Sequence, residues 1–158
     1  MFRISLFIII LTVLSACGFR PAYKVGNDDN THILSSIEIT PISSIDGTYF
    51  YNHLKSILPP STAPKYILNT TLSFSKSYNI IQPNSDILRE TQNISVNYQL
   101  IDKQTLKVVS GGNFIKMNSY SVNFTLYSNT VLRQESIAIL AENAAEEVRN
   151  RLMMFFGV

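Results

Sequence analysis

Three stretches of the chain alternate apolar and polar residues with a period of two, and the pattern then changes to a period of 3.6. In the first, Tyr66, Leu68, Leu72 and Phe74 share one parity, and Asn69, Thr71, Ser73 and Ser75 share the other. In the second, over residues 91–101, Ile94, Val96, Tyr98 and Leu100 alternate with Asn93, Ser95, Asn97 and Gln99. The third covers residues 105–117, with Leu106, Val108 and Phe114 in one phase. Such alternation predicts strands with one buried face. Asp102-Lys103-Gln104 reads as a short turn, so the second and third strands form a hairpin. Gly111-Gly112 within a strand pattern marks a bulge or a close backbone approach. Residues 77–86, with Pro83, read as a loop, and residues 120–129 show no clear period.

From about residue 131 to 155, Ile137, Leu140, Ala141, Ala144, Val148, Leu152 and Phe155 fall on one helical stripe. Arg133, Glu135, Glu142, Glu146, Arg149 and Asn150 lie largely opposite it. Upstream, Ile37 and Ile39 alternate with Glu38 and Thr40, a short strand that Pro41 ends or places at a sheet edge. Ser44 or Asp46 caps a helix to about residue 58 with Phe50, Leu54, Ile57 and Leu58 on one side. Pro59-Pro60 and Pro64 stop it. The order β-α-β-β-β-α predicts a two-layer α+β sandwich: a four-stranded, mostly antiparallel sheet with two helices on one face.

Residues 1–16 read as an address. A positive start with Arg3 precedes the eleven-residue apolar run ISLFIIILTVL. As a helix it spans roughly 16 Å, half of a bilayer core of about 30 Å, which suits a signal peptide and not a membrane span. Leu14-Ser15-Ala16-Cys17 then has the form of a bacterial lipobox, with small residues before Cys17, the only cysteine in the chain. Cleavage before Cys17 and its acylation are expected. Several acyl chains exceed the two-signal threshold for stable anchoring. Gly18, not Asp, follows Cys17, which favours sorting to the outer membrane, facing the periplasm. Residues 17–31 form the lipidated start and a flexible tether, and residues 32–158 the domain.

Sites for chemistry are scarce. One cysteine leaves no disulfide framework within the chain and no multi-cysteine metal site. His32 and His53 are too few for a three-histidine centre, and each reads better as a tether residue or a partly packed helix residue than as a catalyst. Asp28-Asp29 reads as solvated. No P-loop, G-x-S-x-G or H-E-x-x-H occurs. No catalytic residue, cofactor or metal site is expected, and the chain is not read as an enzyme. A net charge of +2 lacks the basic surplus of a nucleic-acid binder. The informative positive feature is the polar side of the strands, which is Asn, Ser, Thr and Gln in place of Lys and Glu. These four residue types make up nearly a third of the chain from Cys17 onward. Neutral polar groups cost less to desolvate than ions, so this side suits a polar partner; the AT-rich coding bias that raises Asn, Ile, Ser and Lys together is the other reading.

Cys17-Gly18-Phe19-Arg20-Pro21-Ala22-Tyr23 resembles the start of the mature lipopolysaccharide-assembly lipoproteins of the LptE family in alphaproteobacteria, where Gly-Phe-x-Pro-Leu-Tyr-Gly follows the acylated cysteine. The chain departs from that pattern at Ala22 and Lys24. The resemblance extends weakly to Met117-Asn118-Ser119-Tyr120 and to a final helix with Ala138, Ala141, Ala144-Ala145, Arg151-Leu152 and Phe155-Phe156. It implies an α+β plug in the lumen of the outer-membrane β-barrel LptD, with lipopolysaccharide passing to the outer leaflet. It also implies lipopolysaccharide contacts from basic loop residues, for which Arg89, Lys103, Lys107 and Lys116 are the candidates. A structural accessory lipoprotein of the envelope, of pilotin or scaffold type, is the alternative.

Overall fold

The alternating segments pair into one sheet in a computed structural model that describes residues 33–61, 63–80, 88–122 and 126–157. The expected signal peptide, Cys17, the expected tether, Asp28-Asp29 and His32 lie outside the described residues. The elements are β1 (Ile37–Ile39), α1 (Ile45–Ile57), β2 (Tyr66–Ile80), β3 (Leu88–Asp102), β4 (Val108–Val122) and α2 (Leu126–Phe156). The sheet order is β1-β2-β3-β4. β1 runs parallel to β2, and the other two pairings are antiparallel. The expected α+β architecture is the one observed, including the element order.

Parity decides which side the helices cover. Leu68, Ile94, Val96, Tyr98 and Leu100 point to the buried side and meet Phe50 and Leu54 of α1 and Leu140, Ala141, Ala144, Ala145, Val148 and Leu152 of α2. Both helices therefore cover one face, as the period-two and period-3.6 stripes require. Burying a Leu or Phe side chain stabilises by about 1.5–3 kcal/mol relative to leaving it exposed, so these contacts supply most of the drive to form the sandwich.

Local signals set the ends of α1. The Ser44 hydroxyl oxygen accepts from the Gly47 N–H at 3.0 Å, an N-cap that satisfies one orphan amide. Asp46 in the first turn complements the helix dipole. The Leu58 N–H still donates to Leu54 O at 3.0 Å, after which Pro59-Pro60 removes two donors in succession.

Four sequence expectations are corrected. The strands run beyond the predicted limits: β2 continues to Ile80, into the expected loop, and β4 to Val122. α2 begins at Leu126, five residues before the stripe expected from Val131. Leu106 and Val108 are exposed, not core, because Leu106 belongs to the turn and a bulge opposite Leu100/Ile101 resets the phase before Ser110. Phe155 is exposed, and Phe156 instead packs on the Tyr66 ring at 5.5 Å between centroids. The glycine pair does mark a close approach: a Cβ on Gly111 would stand 2.9 Å from the Tyr98 carbonyl oxygen.

A polar layer lies between the sheet and the first half of α2. Glu90, Gln92 and Ser136 are buried there. Asn118 donates to the Ser136 hydroxyl at 3.1 Å, and the Gln92 amide donates to the Glu90 carboxylate. Burial, then the Glu90 carboxylate, pushes the Tyr120 phenol above its usual range. Where the core-facing residues are polar, backbone pairing and side-chain hydrogen bonds hold the sheet in place of apolar contacts.

Candidate functional site

The face of the sheet turned away from the helices is open except at one end, where Thr91 is buried, and charge is missing from most of it. Five consecutive cross-strand rows are Asn69–Gln99–Gly111, Thr71–Asn97–Asn113, Ser73–Ser95–Ile115, Ser75–Asn93–Met117 and Ser77–Thr91–Ser119. None of these positions carries an ionisable side chain. A well-solvated surface is designed with roughly 25–35% charged residues, and even this chain's overall 15% would place about two here. Charge returns at the two ends. Lys103 pairs with Glu38 at 2.8 Å at the start of β2, and Arg89 is exposed at the far end, level with Asn79 and Ser121.

The face grades from polar to apolar across its width. β2 contributes only Asn, Thr and Ser. On the edge strand β4, Ile115 and Met117 are 63% and 70% exposed. Neither was read from the sequence as an exposed contact residue, although both follow from the phase of Phe114 in the strand. Thr91 and Ser119 hydroxyls lie 2.8 Å apart, so part of the face satisfies its own hydrogen bonds. Eight steps from Asn69 to Ser77 cover roughly 27 Å at about 3.4 Å per residue.

The four basic candidates do not converge. Arg89 stands at one end of the sheet. Lys103 and Lys107 share the β3–β4 turn at the other, with Lys103 held by Glu38 and Lys107 exposed. Lys116 points to the helix side, where its ammonium meets the Glu147 carboxylate at 3.0 Å. Arg151 donates to the other Glu147 oxygen at 2.8 Å and stacks on the Phe114 ring at 4.6 Å. The Arg151 guanidinium, and then the Lys116 ammonium, hold the Glu147 carboxyl below the usual carboxylate range. Arg151 also reaches the Asn113 carbonyl oxygen at 3.5 Å, so a cation flanks the free edge of β4.

His53 is half-buried between the helices, with Nε2 3.7 Å from the Glu146 carboxylate. Among the described residues no group of three His, Cys, Asp or Glu side chains is placed to hold a metal ion, and no described helix is long and apolar enough to cross a membrane. Chemically, the open face can make neutral hydrogen bonds over a long, flat area and apolar contacts along β4.

No protein-family model matches the chain. The fold is shared with three solved bacterial structures. A lipoprotein candidate from Caulobacter crescentus CB15 matches with a TM-score of 0.65 at 20% identity, over 82% of this chain and 96% of that one. Rare lipoprotein B from Shewanella oneidensis matches with a TM-score of 0.58 at 10% identity, over 75% and 92%. A minor lipoprotein from Acinetobacter baumannii matches with a TM-score of 0.52 at 15% identity, over 73% and 86%. In sequence, the uncharacterized protein RP188 of Rickettsia prowazekii (strain Madrid E) is 38% identical over 152 residues, 96% of either chain. At that identity and coverage, the chain belongs to the family of RP188.

Proposed function

We propose that this protein is an outer-membrane lipoprotein of the LptE type that plugs an LptD-type β-barrel through which lipopolysaccharide reaches the outer leaflet. The observation that carries the reading is the charge-free run of five rows on the open sheet face. A plug must surrender water from its wall-facing side. Each unpaired ion buried there costs several kcal/mol, whereas Ser, Thr, Asn and Gln can exchange water for the polar inner wall of a barrel. The roughly 27 Å length of the run is close to the apolar band of an outer-membrane barrel, about 25 Å tall. The fold shared with rare lipoprotein B and the lipobox ending at Cys17 support the reading as an envelope lipoprotein.

The test is capture of the barrel from detergent extract by tagged protein. Wild type is expected to retain a large β-barrel, identified by mass spectrometry. Ser95→Glu and Asn97→Lys, at exposed central positions of the face, are expected to lose it while melting within a few degrees of wild type. Wild-type capture by both variants removes this face as the interface. Recovery of a secretin ring or peptidoglycan in place of a barrel favours an envelope scaffold.

A further inference from the structure

One end of the sandwich gathers exposed apolar tips beside lysines. β2 starts there, β3 ends there and α2 terminates there. Lys65 N–H donates to Ser36 O at 2.8 Å, Lys103 N–H donates to Lys65 O at 2.9 Å, and Tyr66 lies opposite Asp102 and against Phe156. The described chain also begins there, at Ile33, sixteen residues after Cys17.

Leu106 is the residue this end does not explain. Its φ is 55°, the only positive φ outside glycine among the described residues, and its side chain is 76% exposed. A left-handed backbone favours Gly or Asn at such a turn position, and exposing a leucine forfeits its burial. The turn does not need leucine to close. Asp102 does that: its carboxylate accepts from the Gln104 and Thr105 amides at 2.9 and 2.8 Å, and these bonds, the one from Thr105 first, lower its pKa. An unfavourable residue kept in an unfavourable conformation points to a use outside the fold. At the same end Val108 is 55% and Met154 76% exposed, and Phe155 is also exposed. Lys65 and Lys107 are exposed at the same end.

We propose that this end is a second membrane contact, in which Leu106, Met154 and Phe155 enter the headgroup–acyl boundary of an anionic phospholipid surface and Lys65 and Lys107 face its phosphates. The inference rests on the reading of Cys17 as an acylated anchor. Sixteen residues reach at most roughly 55 Å, so the anchor keeps this end within that distance of the membrane surface and raises the local lipid concentration it meets. Separate apolar tips flanked by lysines suit a fluid surface, which adapts to each tip, better than a fixed protein surface. The contact belongs to the acylated chain before it enters a barrel, because a barrel wall around the plug parts this end from the lipid.

The experiment uses the acylated mature chain in phosphatidylethanolamine–phosphatidylglycerol vesicles, with an environment-sensitive fluorophore on Leu106→Cys, Met154→Cys or, at the far end, Tyr127→Cys. Tyr127 is 83% exposed. Acylation blocks the Cys17 sulfur, so one label per chain is expected. A lipid-borne quencher is expected to quench the labels at 106 and 154 roughly threefold more than the label at 127. Equal quenching at the three sites overturns the proposal. A second label per chain reports a free Cys17 thiol and overturns it differently, by removing the anchor that orients this end.

Discussion

Truncating α2 at two points along its buried stripe should give different losses, in an order set by what surrounds each side chain. Leu152 is fully buried, and Leu140 is 1% exposed. Leu→Ala removes about three methylene equivalents, roughly 2.4 kcal/mol at about 0.8 kcal/mol each. A closed site adds a cavity term that brings the total to as much as about 5 kcal/mol. Leu140 also borders an open surface pocket of about 290 Å³, lined with it by Lys116, Met117, Asn143, Glu146, Glu147 and Asn150. Truncation there widens an existing surface cleft in place of creating a closed void, so the cavity term is small. Leu140→Ala should therefore cost about 2–3 kcal/mol and Leu152→Ala about 3–5 kcal/mol. Glu142→Ala, on the exposed side of the same helix, should stay within about 0.5 kcal/mol. The assay is urea unfolding of the mature chain carrying Cys17→Ser, with the denaturant slope unchanged between variants. Equal losses at 140 and 142 would refute the phase of the helix. A larger loss at 140 than at 152 would refute the solvent-open pocket.

Two further outcomes are expected. Mass spectrometry of the membrane-extracted protein should find an N-terminus at Cys17 with added acyl mass, and an N-terminus elsewhere would contradict the lipobox reading. Glu147→Gln should cost about 1 kcal/mol at pH 7, after discounting for partial solvation of the pair. Because the folded Glu147 carboxyl is held below its ordinary range, its contribution is complete above the unfolded pKa of about 4.3 and vanishes as pH falls through the lower folded value. Wild type and variant melting curves should converge in acid; a constant gap down to pH 2 would contradict the charge-assisted account.

How far the sequence reads the fold depends on contrast between the two sides of each element. Residues 66–74 and 91–101 alternate apolar with neutral polar, and their strands, core face and pairing were legible. Contrast disappears further along the same strands. At the far end the helix-side positions are Lys76, Tyr78, Glu90, Gln92, Asn118 and Tyr120, as polar as the residues on the other side. Pairing continues there because backbone hydrogen bonds need no apolar alternation. The start of α2 was hidden for a related reason, since its first half rests on the polar layer at Ser136 and Asn118 and shows no stripe. The bulge before Ser110 reversed the parity expected for Val108, and no residue type marks where the extra residue enters. For the candidate interface, parity alone identified the neutral face. Its freedom from charge over five rows emerged only when the register joined β2, β3 and β4, because three separate segments had to be brought side by side.

Under the proposed function the neutral sheet face lies against the inner wall of a β-barrel. The most direct measurement is site-specific photocrosslinking in living cells from Ser95, at the middle row of the face, with Glu142 on the exposed side of α2 as a second site. Crosslinked peptides identified by mass spectrometry should map, for Ser95, to lumen-facing residues of an LptD-type barrel. Crosslinks from Ser95 confined to other proteins or to peptidoglycan, or found only in the barrel's periplasmic turns, would contradict the account.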